Sequence, residues 1–474
     1  MNTDLQNVSK GLSFWTAFLA GRFVAFFCRL FRYPGTSLPG AVALKICPSM
    51  LSALAPSYEK IIAVTGTNGK TTTSNLLVHI LRFSGISAAS NSEGANMLSG
   101  VATALIKDCT LGGVARSPVA ILEVDEGSVG GIFPSTKPGL VIVTNYFCDQ
   151  MDRYGSLDHN VTLLRQSLDG LPRTALLLNA DDPLVVTAGR GRSAVKHYGI
   201  KGKRLDREAN GGGNTREGQH CPDCGEPLVY YYYHYGQLGD YYCPQCTFRR
   251  PTPDFLVTDV QDEDFLKFSL CFFEEEKEGE HGAVCSYKKV TRLQAPLRGF
   301  YNIYNILAAS AAAITMGVSN DIIATTIQKY APATGRMEEF LFQDRSCTLA
   351  LIKNAAGVNE VMKTILRKEG EKALVIAIND MPADGRDVSW LWDADFSMLD
   401  HPSIKKIICS GRRAGDIAVR LKYAGVPLVK LVLEPGCRGS LEILGVQGAE
   451  EYFVLASYST LYNYAKLLKK RRGR

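Results

Sequence analysis

The sequence lacks most of the features that mark secreted, membrane-spanning or disordered chains. No signal peptide with a small-residue cleavage site is apparent. The 13 cysteines are odd in number and scattered apart from one cluster, which is typical of a reducing cytoplasm. Charged residues make up only 21% and hydrophobic residues 46%, so long disordered stretches are not expected. A net charge of +6 is too small to argue for nucleic acid, and it mildly favours an anionic substrate or membrane surface.

A long uninterrupted apolar run is also missing near the N-terminus. Residues 12–31 are rich in Phe, Leu and Ala, but Arg22 and Arg29 divide them into pieces too short to span a bilayer comfortably. We predict an amphipathic helix packed on the body of the protein. The alternative is peripheral membrane contact, by a helix lying on the membrane surface with Trp15 and the phenylalanines inserted. The basic tail, residues 467–474, is interpreted as solvated, with contact to acidic headgroups as the alternative.

What the sequence does contain is an alternation of short apolar runs with longer segments. A chain of 474 residues is too long for one core, so two or more domains are predicted. The spacing of the runs predicts a doubly wound α/β fold with a parallel sheet. The predicted organisation is an N-terminal helical segment (1–55), a central domain (56–346) with an insertion at about 205–255, and a smaller C-terminal α/β domain (347–474).

A glycine-bearing loop lies between the first predicted strand and the helix that follows it. Glycines let the backbone approach an anion, and the amide groups at the start of a helix attract phosphate. Lys70 is expected to reach the outer phosphates of ATP, and the Thr71 hydroxyl to face Mg²⁺. Val64 stands where the general Walker pattern has its first glycine, and a turn that merely starts a helix is the alternative. The candidate nucleotide-binding residues are Gly66, Thr67, Asn68, Gly69, Lys70, Thr71 and Thr72.

Three acidic residues stand at the end of another predicted strand, residues 119–124. Mg²⁺ is a hard cation that needs oxygen ligands, so a carboxylate is expected beside the phosphate loop. Glu123, Asp125 and Glu126 are the candidates. Alternation places Glu123 and Asp125 on the same face if the strand continues that far.

A paired C-x-x-C arrangement stands in the insertion. Four thiolates at this spacing suit a tetrahedral Zn²⁺ site, and a closed set of four favours a structural role. Four unligated cysteines and an iron–sulfur site are the alternatives. A ribbon of this kind can also bind nucleic acid through stacked aromatics, but its flanks are not strongly basic, so no nucleic-acid partner is predicted. The candidate ligands are Cys221, Cys224, Cys243 and Cys246.

Together these motifs resemble those of the Mur ligase family, which includes the folylpolyglutamate synthases. The short Walker loop of that family is similar to residues 66–72, which accounts for Val64. The resemblance implies ATP and Mg²⁺ as cofactors, with Glu123 as a Mg²⁺ ligand. It also implies nucleotide-site roles for Asn145, Asn302, Asn305 and Arg336. The matching segments follow in family order: 144–145 with 149–153, 179–183, 300–305 and 335–338.

The sequence departs from the family pattern at three points. Gln150 replaces a histidine that in many members helps to hold a second metal ion. Tyr301 replaces another common histidine. No residue is matched to the lysine that is carbamylated in several members. The resemblance therefore does not carry over a second-metal arrangement.

Four segments narrow the resemblance to the MurT-type ligase subunits: 91–97, 123–128, 149–153 and 384–390. The match covers nearly the whole chain. It implies ATP-dependent amidation of the α-carboxyl of D-glutamate in lipid II, through an acyl phosphate, in peptidoglycan synthesis. It also implies a heterodimer with a glutaminase subunit of GatD type, which supplies ammonia, and a cytoplasmic location near the inner face of the plasma membrane.

A polar loop follows the predicted strand 373–378, at a place where α/β sheets carry their chemistry. From the residues alone, Asp387 either belongs to such a site or merely caps a turn before a helix. The resemblance implies that Asp387 completes a Cys-His-Asp triad in the active site of the partner. There an aspartate orients the histidine that activates the cysteine. No cysteine of this chain stands in a recognisable glutaminase motif, in keeping with a separate glutaminase.

Two other functions stay open at this point. The first is an amino-acid-adding ligase of the muramyl or folylpolyglutamate type. Such enzymes often carry an Asp-Tyr-Ala-His segment where this chain has residues 353–359, and its loss is in keeping with ammonia as the acceptor. The second is a nucleotide-switched module whose ribbon binds nucleic acid in a salt-dependent way. The full series of motifs argues against the second.

Overall fold

The computed structural model describes residues 10–31, 33–91, 95–148, 157–202, 218–262, 265–275, 285–331 and 335–471. Within these ranges the chain forms a sheet of nine strands, a sheet of six strands and a separate two-stranded hairpin. Helices flank both large sheets, which confirms the predicted α/β class.

Three helices precede the first strand: α1 (Leu12–Leu30), α2 (Leu38–Ile46) and α3 (Met50–Leu54). One face of α1, including Phe14 and Phe18, is buried in a core that these helices share with the first sheet. By length and composition α1 could cross a membrane: its mean hydropathy is 1.2, and only 28% of its apolar window is buried. The helix predicted for residues 12–31 therefore forms, with one side packed on the protein and the other exposed.

Eleven strands lie between residues 60 and 295: β1 (Lys60–Thr65), β2 (Ala88–Ser90), β3 (Val119–Glu123), β4 (Leu140–Val143), β5 (Ala175–Asn179), β6 (Val195–Ile200), β7 (Val229–Tyr235), β8 (Leu238–Tyr242), β9 (Phe255–Asp262), β10 (Leu266–Glu275) and β11 (Cys285–Ala295). Nine of them form the first sheet, in the order β11-β10-β9-β6-β5-β4-β1-β3-β2, and β7 pairs with β8 alone. Pairing is parallel from β2 to β9, whereas β10 runs antiparallel to both of its neighbours. The parallel core of the sheet places the carboxyl ends of its strands at one edge.

Helices cover both faces of this sheet: α4 (Lys70–Phe83), α5 (Leu98–Asp108), α6 (Val129–Thr136), α7 (Leu157–Asp169), α8 (Pro183–Val186), α9 (Tyr301–Thr315) and α10 (Asn320–Gln328). Residues Ile62 and Val64 of β1 pack with α4, α9 and α10. The alternate residues Ile61 and Ala63 pack with the N-terminal helices, α5 and α6. Because both faces are buried, the strands are continuous apolar runs.

The cysteine module is inserted between β6 and β9, which are neighbours in the sheet. Its small core contains Tyr230, Tyr241 and Phe248 beside two of the cysteines. The hairpin and all four cysteines fall within the predicted insertion at 205–255, of which residues 205–217 lie outside the described residues.

The second sheet contains β12 (Arg336–Phe342), β13 (Arg345–Leu351), β14 (Lys372–Ala377), β15 (Ile404–Ser410), β16 (Leu431–Leu433) and β17 (Glu451–Ala456), in the order β12-β13-β17-β14-β15-β16. Its helices are α11 (Ala355–Arg367), α12 (Trp390–Asp393), α13 (Ala414–Tyr423), α14 (Cys437–Gly445) and α15 (Tyr458–Arg471). Short 3₁₀ turns stand at Ala55–Ser57, Glu126–Ser128, Thr187–Gly189, Phe396–Leu399 and Leu428–Lys430. Since β12 pairs antiparallel with β13, the second sheet starts at residue 336, upstream of the boundary predicted near 347.

Candidate functional site

The phosphate loop connects β1 to α4 at the carboxyl edge of the first sheet. Gly66 and Gly69 adopt φ values of +115° and +89°, which suit glycine. A Cβ atom on Gly69 would lie 2.0 Å from Asn305 Oδ1, and one on Gly66 would lie 2.3 Å from Thr144 Oγ1. The loop is therefore a close-fitting backbone cradle that ends at a helix N-terminus, as phosphate binding requires.

A buried ion pair stands beside this cradle. Lys70 Nζ lies 2.7 Å from Glu126 Oε2, and both side chains are only 6% exposed. Burial opposes the charge on Lys70, but the Glu126 carboxylate outweighs that effect and holds the pKa of Lys70 above its usual value. Burial likewise opposes the charge on Glu126, yet Lys70 holds the pKa of that carboxyl below its usual range. Lys70 is therefore charged and close to the loop, as a phosphate ligand must be.

Two further carboxylates have oxygen atoms that no group among the described residues satisfies. Within that part of the chain, Glu123 Oε2 and Asp125 Oδ2 are buried without a hydrogen-bond partner, whereas Glu123 Oε1 accepts from Asn96 Nδ2 at 3.0 Å. Buried carboxylate oxygens of this kind call for a ligand, and oxygen atoms are what Mg²⁺ prefers. Strand β3 ends at Glu123, so Asp125 reaches the site from the turn and not from the strand. Together with the Thr71 side chain in the same cleft, these residues fit a magnesium site.

The predicted asparagines hold the loop and line a second pocket. Asn145 Oδ1 accepts from the backbone N–H of Asn68 at 2.9 Å, and Asn145 Nδ2 donates to Asn68 O at 3.1 Å. Asn305 Nδ2 donates to Asn302 Oδ1 at 2.9 Å. The pocket beside the loop is lined by Asn68, Gly69, Thr72, Asn145, Tyr235, Tyr301, Asn305 and Glu360, among others. Its mix of aromatic and amide groups suits a nucleotide base.

Glu360 and Tyr235 are lining residues of this pocket that the sequence did not reveal. Burial raises the pKa of the Glu360 carboxyl, which pairs with Lys363 Nζ at 2.7 Å. Tyr235 comes from the ribbon hairpin and stacks on Phe147, with ring centroids 5.7 Å apart. Tyr235 lies between the two C-x-x-C pairs and Glu360 follows the segment 353–359, but neither pattern indicates a role in this pocket. Each residue reaches the pocket through packing between distant segments.

A cleft of about 470 Å³ lies between the phosphate loop and the C-terminal domain. It brings Lys70, Glu123 and Asp387 together along its walls. Asp387 Oδ1 accepts from the backbone N–H of Ser389 at 2.8 Å, just before α12, so the capped-turn interpretation of this residue also holds. The loop that carries Asp387 is anchored by Asp384, which accepts from Ser459 N–H at 2.7 Å and from Ser459 Oγ at 2.6 Å.

The start of the C-terminal domain touches the phosphate loop directly. Lys353 Nζ donates to the carbonyl of Thr67 at 3.0 Å, and Asn354 Nδ2 donates to Asn68 Oδ1 at 3.0 Å. These contacts were missed in the sequence, where residues 353–359 stood out only for lacking a known pattern. They connect the two domains at the place where ATP is expected to bind.

Two of the predicted features lie partly or wholly outside the described residues. Arg336 begins β12, and its backbone pairs with Ala350, but its side chain lies outside the described part of the chain. The segment 149–156, which includes Gln150, also lies outside it. The other predicted nucleotide-site residues line the cleft or the adjoining pocket, apart from Gly66 at the start of the loop and Asn302, which contacts Asn305.

The four ribbon cysteines converge on one point. Their Sγ atoms all lie within 4.8 Å of one another, with 3.5 Å between Cys221 and Cys246 and between Cys224 and Cys243. A tetrahedron with Zn–S bonds of about 2.3 Å has sulfur atoms about 3.8 Å apart. The cluster is therefore compatible with a closed tetrahedral zinc site.

Asp181 and Asp182 connect this ribbon to the nucleotide-binding domain. Asp181 accepts from Arg250 Nε at 2.6 Å and from the Tyr304 hydroxyl at 2.7 Å. Asp182 accepts from the backbone N–H groups of Tyr146 and Leu184, and burial raises the pKa of its carboxyl to about 6. The motif at residues 179–183 thus ties the ribbon, α9 and the first sheet together.

Loss of metal from the ribbon is expected to weaken nucleotide binding. Small cysteine modules do not fold without their metal, and Tyr235 then leaves the base pocket. We expect Cys224→Ser to lose one zinc equivalent and to bind ADP about tenfold more weakly, which corresponds to about 1.4 kcal/mol. Metal analysis and calorimetric titration with ADP measure the two effects. Cys437→Ser, at a cysteine of α14, is the matched control and is expected to keep both its zinc content and its affinity for ADP. Unchanged ADP affinity after loss of zinc would contradict the coupling between the ribbon and the nucleotide site.

Comparison with known proteins agrees with this arrangement. The Mur ligase middle domain family matches residues 64–223, and the MurT ligase C-terminal family matches residues 351–461. A pseudomurein peptide ligase type C from Methanothermus fervidus superposes with a TM-score of 0.65 at 21% identity, over 89% of this chain and 81% of that one. Mycobacterium tuberculosis folylpolyglutamate synthase, complexed with ADP and AMPPCP, gives 0.58 at 14% identity, over 93% and 96%. These structures share the fold.

The fold and the phosphate-loop cleft therefore define a protein of the Mur ligase class. Lipid II isoglutaminyl synthase (glutamine-hydrolyzing) subunit MurT of Staphylococcus aureus (strain COL) is 34% identical over 418 residues, 88% of this chain and 90% of that relative. The protein of the same name from Streptococcus pneumoniae (strain ATCC BAA-255 / R6) is 33% identical over 445 residues, 92% and 93%. The chain belongs to the MurT family of ATP-dependent ligase subunits.

Proposed function

We propose that this chain amidates the α-carboxyl of D-glutamate in lipid II, giving D-isoglutamine for peptidoglycan synthesis. The observation that carries this proposal is the shared cleft, in which Asp387 stands with the phosphate-loop lysine, Lys70. An ATP-dependent ligase needs the lysine, and a glutamine-dependent one also needs a source of ammonia near the activated carboxyl. The relatives match nearly the whole chain, and their names supply the substrate.

The residues of the cleft suit a two-step reaction. The substrate carboxylate attacks the γ-phosphate of ATP and forms an acyl phosphate, while Lys70 and Arg336 stabilise the charge that develops on the phosphoryl oxygens. Glu123 and Thr71 would hold Mg²⁺, which would supply positive charge to neutralise the phosphate groups. Ammonia then displaces phosphate to give the amide. Lys353 and Asn354 hold the C-terminal domain against the loop. Further closure of the cleft around the substrates would exclude water, which would otherwise hydrolyse the acyl phosphate.

A separate glutaminase subunit of GatD type is the proposed source of ammonia, in a heterodimer. Asp387 is half-buried on the wall of the cleft, where a histidine of the partner could donate to its carboxylate. This arrangement would put glutamine hydrolysis beside the acyl phosphate. Because lipid II is lipid-linked, the enzyme is proposed to work in the cytoplasm at the inner face of the plasma membrane.

An amidation assay on lipid II with ATP and Mg²⁺ tests the proposal. The purified chain is expected to use free ammonia alone, and to use glutamine only when a co-expressed glutaminase is present. Mass spectrometry of the product distinguishes a carboxyl from an amide. Addition of an amino acid to the precursor by the chain alone would instead favour the amino-acid-adding function, and hydrolysis of glutamine by the chain alone would remove the need for a partner.

A further inference from the structure

The exposed side of α1 is an apolar stripe. Leu12, Leu19, Phe23, Phe26 and Leu30 recur at intervals of three, four and seven residues, which places them on one side of the helix. Phe23 is 64% exposed and Phe26 is 61% exposed. The opposite side of the helix packs into the core of the first sheet, so α1 is anchored while its aromatic side faces outward. Large exposed apolar surfaces of this kind mark interaction sites.

The stripe continues to the mouth of the cleft. Phe31 is 74% exposed and Tyr33 is 63% exposed, immediately after α1. Thr36 and Ser37 then form part of the cleft wall. Three Cα–Cα steps span at most about 11 Å, so the Tyr33 backbone lies close to that wall. Met97, which is 44% exposed, adds an apolar residue to the lining of the same cleft.

The charged residues of the N-terminal segment around α1 are all basic. Between Asp4 and Glu59 the sequence contains no acidic residue, but it contains five basic ones: Lys10, Arg22, Arg29, Arg32 and Lys45. Arg22 is used within the fold, since its guanidinium donates to the carbonyls of Ile106 and Lys107. Arg29 and Lys45 are exposed. A segment with exposed aromatic residues and exposed cations, and without acidic residues in its sequence, has the composition of a surface that binds anionic lipid.

We propose that the exposed apolar surface of α1, continued by Phe31 and Tyr33, docks the enzyme on an anionic lipid bilayer. The helix lies in the interfacial plane and does not span the membrane, because insertion would remove Phe14 and Phe18 from the protein core. Because Tyr33 is only three residues from Thr36, docking of this kind brings that wall of the cleft close to the membrane. The benefit for catalysis rests on the proposed function, in which the substrate is lipid-linked, whereas the docking itself does not.

Vesicle sedimentation of the full chain tests the docking. We expect binding to phosphatidylglycerol–phosphatidylcholine vesicles and much weaker binding to pure phosphatidylcholine. Phe23→Ser with Phe26→Ser is expected to weaken binding at least about tenfold. Arg29→Gln with Lys45→Gln is expected to weaken it about fivefold or more on anionic vesicles alone. Tyr423→Ser with Val446→Ser removes two apolar residues that are 72% and 77% exposed on the other domain, and this control is expected to bind normally.

The outcomes separate docking from catalysis. In amidation assays the phenylalanine variant is expected to keep its rate on a water-soluble precursor and to lose rate on lipid II in vesicles. Equal vesicle binding by the wild type and this variant overturns the proposal. The proposal is also overturned if the wild type does not bind vesicles and instead uses these phenylalanines to form dimers or to bind the glutaminase. The surface is then a protein interface. Vesicle binding without any amidation supports the docking and contradicts the proposed function instead.

Discussion

Asp387→Asn is expected to abolish amidation with glutamine while leaving amidation with free ammonia intact. The amide keeps the shape of the side chain, and its oxygen can still accept from the Ser389 N–H, so the loop should keep its structure. What is lost is the negative charge that, in the proposed function, fixes the tautomer of a histidine of the partner. Removal of that charge costs about 10⁴-fold in rate in enzymes that use such a triad.

Steady-state assays with glutamine and with ammonium chloride, each with the glutaminase present, measure this difference. Asp393→Asn is the matched control, because Asp393 is exposed on α12 six residues further along and is expected to keep both activities. Equal loss with both nitrogen donors would place Asp387 in the ligation step. No loss with either donor would leave Asp387 as the capping residue of a turn.

Lys70→Met is expected to lower amidation about 10²–10³-fold with either nitrogen donor, since one positioned donor to the developing phosphoryl charge is lost. The same change leaves Glu126 buried without its main partner, which costs about 3–5 kcal/mol of stability. Without Lys70, the weaker effect of Lys353 is left to oppose the effect of burial. The pKa of the Glu126 carboxyl should therefore rise. In the wild type the lowered pKa of Glu126 stabilises the fold above the usual carboxyl pKa, and this contribution is lost as the pH falls.

The stability gap between Lys70→Met and the wild type is therefore largest at neutral pH and shrinks in acid. Urea unfolding at neutral and acidic pH measures it. The double variant Lys70→Met with Glu126→Gln removes the unpaired charge, so it should regain stability at neutral pH but no activity. Recovery of activity in the double variant would show that Lys70 acts only by neutralising Glu126.

The features that the sequence revealed are those set by short-range spacing. The phosphate loop needs glycines and a lysine within a few residues between a strand and a helix, and residues 60–83 form that unit. The four ribbon cysteines fall into two pairs whose spacing alone indicates a tetrahedral site, and their Sγ atoms do converge. The helix that follows the loop begins at Lys70, as the predicted order of strand, loop and helix requires.

The features that were missed depend on contacts between distant segments. Glu126 was only one of three acidic candidates, and its pairing with Lys70 depends on how β3 lies beside β1. Tyr235 reaches the base pocket because the ribbon folds back on the sheet, which spacing within the ribbon does not reveal. The apolar run at residues 428–433 predicts one strand, but residues 428–430 form a 3₁₀ turn after Pro427 and the strand begins only at Leu431.

The two hydrogen bonds from Lys353 and Asn354 to the phosphate loop have a consequence for the timing of the catalytic cycle. Both start in the residues that follow β13, and both end on the loop that is expected to cradle ATP. The domains therefore cannot part at this point without breaking both bonds to the loop. We expect opening of the enzyme and departure of the spent nucleotide to be coupled in this way. In many enzymes such an opening, and not the bond chemistry, sets the pace of turnover.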